Sequence, residues 1–174
     1  MIIIGWEMNN NPTEKSIVQD PLVKYAHQIQ WDYISPEDAL GERKGEQGLI
    51  FRARLKSKLL ELNPDILDSD LAEQVIKRIE NAKTTIVGNE VILQFLKGEQ
   101  TVFVPSQRRE MAVRLIDFDN LENNDFQVTD EWRYSNGTNA NRADVVFLIN
   151  GLPVVIVETK SVQKQDGISI ALSQ

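Results

Sequence analysis

The 174-residue chain has no cysteine and one histidine, His27. The first absence excludes a disulfide framework and thiolate metal sites, and it suits a reducing, cytoplasmic setting. The second, with His27 on an amphipathic stretch, excludes Ser–His and multi-histidine chemistry. No apolar run approaches the roughly 20 residues of a membrane span, and the short apolar start Met1 to Trp6 lacks the basic flank of a signal peptide. No membrane partner is expected. Positive charge is also scarce, with 19 Lys and Arg against 26 Asp and Glu and a formal charge of −7. Nonspecific DNA affinity comes from neutralising phosphates, so a chain that grips nucleic acid strongly and alone is disfavoured. Any DNA role needs a local basic patch or help from elsewhere, and the surplus acids fit either a solvated surface or a cluster awaiting a cation.

What is present divides by period. Residues 13–33 read as helical, with Thr13 as a candidate N-cap, and Pro21 either kinks the helix or starts a new one. Residues 36–48, charged and holding three glycines, read as a mobile connection. Amphipathic spacing predicts helices from Leu49 to Leu62, from the Asp68 or Ser69 cap through Ile79, and from Val87 to Leu96. The period then changes. Segments 101–105, 110–118, 125–134, 143–149 and 152–158 are rich in β-branched and aromatic residues and read as five strands, and a helix from 163 is still running at Gln174. The expected fold is α+β, a helical N-terminal part followed by a central mixed sheet flanked by helices. No repeat or linker divides the chain, so residues 1–174 are read as one domain, and the missing stop signal suggests a piece of something longer.

The most informative stretch is Arg142 to Lys160, RADVVFLINGLPVVIVETK. Its apolar runs, 145–149 and 154–157, have the character of strands covered on both faces. Asp144, Glu158 and Lys160 gather at the mouth of this hairpin, where carboxylates are poorly solvated unless compensated. Strand alternation puts Glu158 and Lys160 on one face. A two-residue Asn150-Gly151 turn would pair Asp144 with Val157 and turn it away from Glu158, whereas a three-residue turn would bring all three groups together. A shared site is therefore expected to need the odd-length turn, although Asn-Gly favours the even one.

Two carboxylates and a lysine on one face suit phosphodiester hydrolysis. Mg²⁺ prefers carboxylate oxygens, leaves positions for water and phosphate, and acidifies bound water, while a neighbouring lysine orients that water and stabilises the transition state. The competing reading is a set of solvated strand-end charges with an exposed ion pair of little energetic weight.

Asp144 followed by Glu158-Thr159-Lys160, across two apolar strands joined by Asn-Gly-Leu-Pro, resembles the PD-(D/E)xK nuclease signature. More narrowly, the stretch is similar to the N-terminal endonuclease domain of the restriction (R, motor) subunit of type I restriction–modification systems. Leu62-Asn63-Pro64 and the Asn124-Asp125-Phe126 that follows Leu115 to Phe118 extend the similarity to about 160 residues. The resemblance implies a restriction-endonuclease-like core and Mg²⁺ bound by Asp144, Glu158 and the Thr159 carbonyl. It implies that Lys160 serves the attacking water, with Glu14 near the metal and Gln174 as the first residue of a Gln-x-x-x-Tyr motif. It also implies double-stranded DNA as substrate, methylation and specificity subunits as partners, and ATP used only through motor domains absent from this chain, which has no G-x-x-x-x-G-K-[ST]. Ala143 stands where that family has proline, a departure that removes no ligand.

Weaker signals are Arg108 and Arg109, which join two strands and are candidates for DNA phosphate or for an exposed turn, and Lys164, close to the motif. Two rivals remain at this stage: an inactive relative serving as a docking or DNA-binding module, and a repair or junction nuclease with the same core.

Overall fold

The computed structural model describes residues 15–82 and 85–159. Thr13, Glu14, Lys160, Lys164, Gln174 and the helix expected from residue 163 lie outside the described residues.

A π-helical turn, Lys15–Gln19, leads into helix α1, Asp20–Gln28. Pro21 sits in the first turn of α1, where its missing N–H removes no helical bond, so it starts a helix rather than kinking one. After β1, Asp32–Tyr33, the stretch expected to be a mobile connection forms α2, Pro36–Glu42. Ser35 caps it, its hydroxyl accepting from the Asp38 N–H at 3.1 Å, and Glu37 and Asp38 face the positive end of the helix dipole. Arg43 then pins the following loop. Its guanidinium lies 3.7 Å from the Trp132 ring centroid and donates to the carbonyls of Gly48 and Arg133, both at 3.0 Å. Burial pulls the Arg43 pKa down.

Helices α3, Arg52–Leu62, α4, Ser69–Glu80, and α5, Ile86–Leu96, follow the predicted apolar spacing. Asp68 is the α4 cap, accepting from the N–H groups of Asp70 and Leu71. These helices bury Leu55, Leu59, Val75, Ile76 and Phe95 in one cluster with Val102, Val104, Val113 and Leu115. Among the described residues no helix is long and apolar enough to cross a membrane.

The strands fall into two sheets rather than one. β2, Thr101–Val104, and β3, Arg109–Ala112, form a two-stranded sheet. β4, Phe126–Ser135, β5, Ala140–Ile149, and β6, Leu152–Val157, join β1 in the order β1-β4-β5-β6. That sheet is mixed, since β1 runs parallel to β4 and the other pairs are antiparallel. The strand expected over 110–118 stops at Ala112, because Arg114 bonds the Asn63 side chain through both its N–H and its carbonyl, each at 2.8 Å, instead of a neighbouring strand.

Strand β5 is covered on both faces. Val145 packs with Val23 and Ala26 of α1, whereas Val146 and Leu148 pack with Ala39, Phe51 and Trp132. β6 ends the strand order, and its Val155 and Ile156 are 50% and 66% exposed. The expectation of a hairpin buried in both strands thus holds for β5 and fails for β6, which is an edge strand among the described residues.

Candidate active site

The hairpin turn is even. Ile149 pairs with Leu152, and Asn150 and Gly151 both have positive φ, 55° and 80°, as a two-residue type I′ turn requires. The expectation that a shared site needs an odd-length turn is therefore corrected, because the register shift comes from another device. Leu148 pairs with Pro153 but Phe147 pairs with Val155, so Val154 is an extra residue, a bulge in β6. Pro153 explains its place: proline has no N–H for the ladder and is found at bulges and edges. Beyond the bulge Val145 pairs with Val157, the last pair of the ladder, and Asp144 and Glu158 are the next residue of each chain past it.

Asp144 is 6% exposed. β6 ends at Val157 and the chain turns so that Thr159 donates twice to Asp144 Oδ2, from its N–H at 2.7 Å and its hydroxyl at 2.9 Å. The Thr159 hydroxyl in turn accepts from Gln19 Nε2 at 3.2 Å. Asp144 Oδ1 is left toward Arg142, whose Nη2 is 3.8 Å away while its Nη1 holds Glu131 Oε2 at 2.7 Å. Glu131 stands opposite Asp144 in β4, between the paired Asp130–Val145 and Trp132–Ala143, and has φ 51°. A left-handed glutamate inside a strand is strained, and such strain collects at functional sites. Next to it Asp130, 5% exposed, accepts from the Tyr33 hydroxyl at 2.8 Å and pairs with Lys15 at 2.9 Å. Burial and the bond to Asp130 push the Tyr33 pKa well above its ordinary value, so Tyr33 stays a neutral donor. Burial opposes the charge on Lys15, but the hydrogen bond and charge of Asp130, with Glu131 and Asp20, outweigh it and raise its pKa.

Asp130, Glu131 and Asp144 share Lys15 and Arg142 at this end of the sheet, and Arg133, paired with Arg142, and Arg43 lie beside them. The described residues contain no cluster of three or more acidic or histidine side chains gathered for a metal. The donor set still fits Mg²⁺, which is commonly held by one or two carboxylates with water in its other positions, and it does not fit zinc. A cleft of about 550 Å³, lined by Lys15, Glu131, Arg133 and Arg43, adjoins the site.

Of the residues singled out from sequence, Asp144 and Thr159 come together here, and Glu158 lies between Thr159 and the end of β6. Lys160, Glu14, Lys164 and Gln174 lie outside the described residues. Arg108 lies on the turn of the separate β2–β3 hairpin and Arg109 is the first residue of β3, where it binds Gln107; neither joins the site. Gln19, Arg142, Glu131 and Asp130 carried no sequence signal for this role, since nothing local ties a helical glutamine to a threonine 140 residues away.

Residues 11–174 match the family model described as type I restriction enzyme R protein N terminus. The chain belongs to that family. Among curated relatives of this R protein N terminus, it is 28% identical, over 92% of its length, to a Methanocaldococcus jannaschii protein provisionally named type I restriction enzyme MjaIXP endonuclease subunit. It is 25% identical, over 88% of its length, to the type I restriction enzyme HindI endonuclease subunit of Haemophilus influenzae. The chain spans only 16% and 15% of the length of these two relatives.

Proposed function

We propose that this region is the Mg²⁺-dependent DNA endonuclease module of a type I restriction R subunit, with a PD-(D/E)xK core. The observation that supports it most is a buried Asp144 held by both donors of Thr159, the residue after Glu158, just past the end of the bulged β5–β6 ladder in a member of this family. Asp144 and Glu158, with the Thr159 carbonyl, would hold the cation, and Glu14 is a further candidate. When bound, the cation polarises the phosphate and acidifies water. Lys160 orients the attacking water and stabilises the charge that develops on the phosphate. Lys164 and Gln174 follow it in sequence as candidate DNA contacts. Double-stranded DNA is the substrate, and the methylation and specificity subunits and the ATP-driven motor hold it, which answers the net charge of −7. In the full-length subunit, with partners and ATP, Asp144→Asn and Lys160→Ala are each expected to lower Mg²⁺-dependent cleavage by at least about 100-fold. Wild-type cleavage by either variant removes the assigned roles.

A second reading, a docking module without catalysis, draws on Asp144 being engaged by Thr159 and approached by Arg142. Under that reading both substitutions leave cleavage intact while weakening assembly of the complex.

A further inference from the structure

Asp144 presents its two oxygens unequally. Oδ2 receives both Thr159 donors, while among the described residues Oδ1 is approached by Arg142 Nη2 at 3.8 Å, beyond hydrogen-bond reach. The single Thr159 hydroxyl proton is spent on Asp144, so the lone pairs of that hydroxyl face a donor, Gln19 Nε2. The reverse amide orientation would set the Gln19 oxygen against those lone pairs. Gln19, Thr159 and Asp144 therefore form a directional chain with every member buried. Hydrogen bonds in such a chain polarise one another. Among the described residues Gln19 Oε1 is buried without a partner, so the amide is held in place by the Thr159 bond at the expense of its own oxygen. The π-helical turn Lys15–Gln19 is what brings it there: its first residue reaches Asp130 on β4 and its last reaches Thr159 beyond β6. A π turn changes the phase of a helix and often marks a functional position.

We infer that Gln19 and Thr159 are positioning residues, which fix Asp144 so that Oδ1 is the oxygen offered to a divalent cation. The inference rests on the reading of Asp144 as a cation ligand. Outer partners of a metal-binding carboxylate commonly matter about 10- to 100-fold in metal affinity or activity. Thr159→Val removes the hydroxyl while keeping the side-chain shape and the backbone N–H, and Gln19→Met keeps an unbranched side chain of similar length.

The test uses the full-length subunit, with Mn²⁺ as probe, followed by electron paramagnetic resonance without DNA or ATP. Sites lost in Asp144→Ala identify the binding that belongs to Asp144. The Mg²⁺ dependence of ATP-driven cleavage is measured in parallel with partner subunits present. Thr159→Val and Gln19→Met are each expected to weaken Mn²⁺ binding and raise the half-saturating Mg²⁺ concentration by roughly 10-fold. The rate at saturating Mg²⁺ should fall much less, and Thr159→Ser should restore wild-type values, a pattern that general loss of structure would not give. Wild-type Mn²⁺ binding and Mg²⁺ response in Thr159→Val and Gln19→Met, with both lost in Asp144→Ala, overturns the positioning role alone. Unchanged Mn²⁺ binding and cleavage in Asp144→Ala overturns the cation-ligand reading itself.

Discussion

Asn150 shows how much one side chain can carry. It is fully buried in a left-handed conformation, its oxygen accepts from the Asp125 N–H, and its Nδ2 donates to the Leu115 carbonyl and to Asn124 Oδ1, all within 2.8–2.9 Å. Asparagine tolerates that backbone and supplies both donor and acceptor. Asn150→Asp replaces the donor with an acceptor: the Leu115 carbonyl loses this donor and faces a buried carboxylate oxygen, at about 1–3 kcal/mol for each unmatched group, while Asn124 Oδ1 keeps the Asp117 N–H. A loss of at least about 2 kcal/mol in urea-unfolding stability is expected, and a smaller change would show that the network can rearrange. Gly151 is constrained differently, since a Cβ there would meet the Phe51 carbonyl oxygen at 2.8 Å in addition to the positive φ of 80°. Asn-Gly was legible as a turn because the sequence carries the local backbone preference. Its burial was not legible, because Leu115, Asn124 and Phe51 reach it from remote parts of the chain.

Among elements, the β6 bulge decides which groups can meet. Regular pairing from the even turn would set Val146 opposite Val155, whereas the bulge sets it opposite Ile156. The chain has no native cysteine, so cross-strand disulfides can read this directly. Cysteines at 146 and 156 are expected to cross-link on oxidation and cysteines at 146 and 155 are not, with peptide mapping by mass spectrometry as the check. The sequence holds the relevant signal in Pro153, the second residue of β6, which cannot donate to an uninterrupted ladder. Helix α2 has its own signal in Ser35-Pro36-Glu37-Asp38, a cap, a first-turn proline and two acids in succession, which prevails over the three glycines of 36–48. Helices α3, α4 and α5 were legible because apolar spacing and caps agreed.

The irregular segment behind the turn also responds to pH. Hydrogen bonds from the Asn123 side chain and the Asn120 N–H, then the Asp119 N–H and the Arg114 charge, hold the Asp117 carboxyl below the ordinary range against its desolvation. In the unfolded chain that carboxyl titrates near about 3.9, so it stabilises the fold above that pH and loses the contribution as pH falls through the lower folded value. Asp117→Asn is expected to lower stability at neutral pH and to flatten its dependence below about pH 4, measured by thermal melting across pH.

At the scale of the whole molecule, charge and assembly belong together. A chain at −7 should bind DNA weakly on its own, and fluorescence anisotropy at about 0.15 M salt is expected to show no micromolar complex. Tight binding by these residues alone would contradict the view that DNA affinity is supplied from elsewhere. The α+β class was legible from the change in period, whereas the division into two sheets was not, because strand partners depend on contacts between distant segments. The Gln19–Thr159 contact has a consequence of another kind. Its partners lie 140 residues apart, so this side of the site is closed by residues from near the two ends of the described chain. Contacts of this kind form slowly, and synthesis runs from the N-terminus. On the ribosome Gln19 must wait until Thr159 has emerged, so a nascent chain carries no assembled carboxylate site until nearly all of this region has been made.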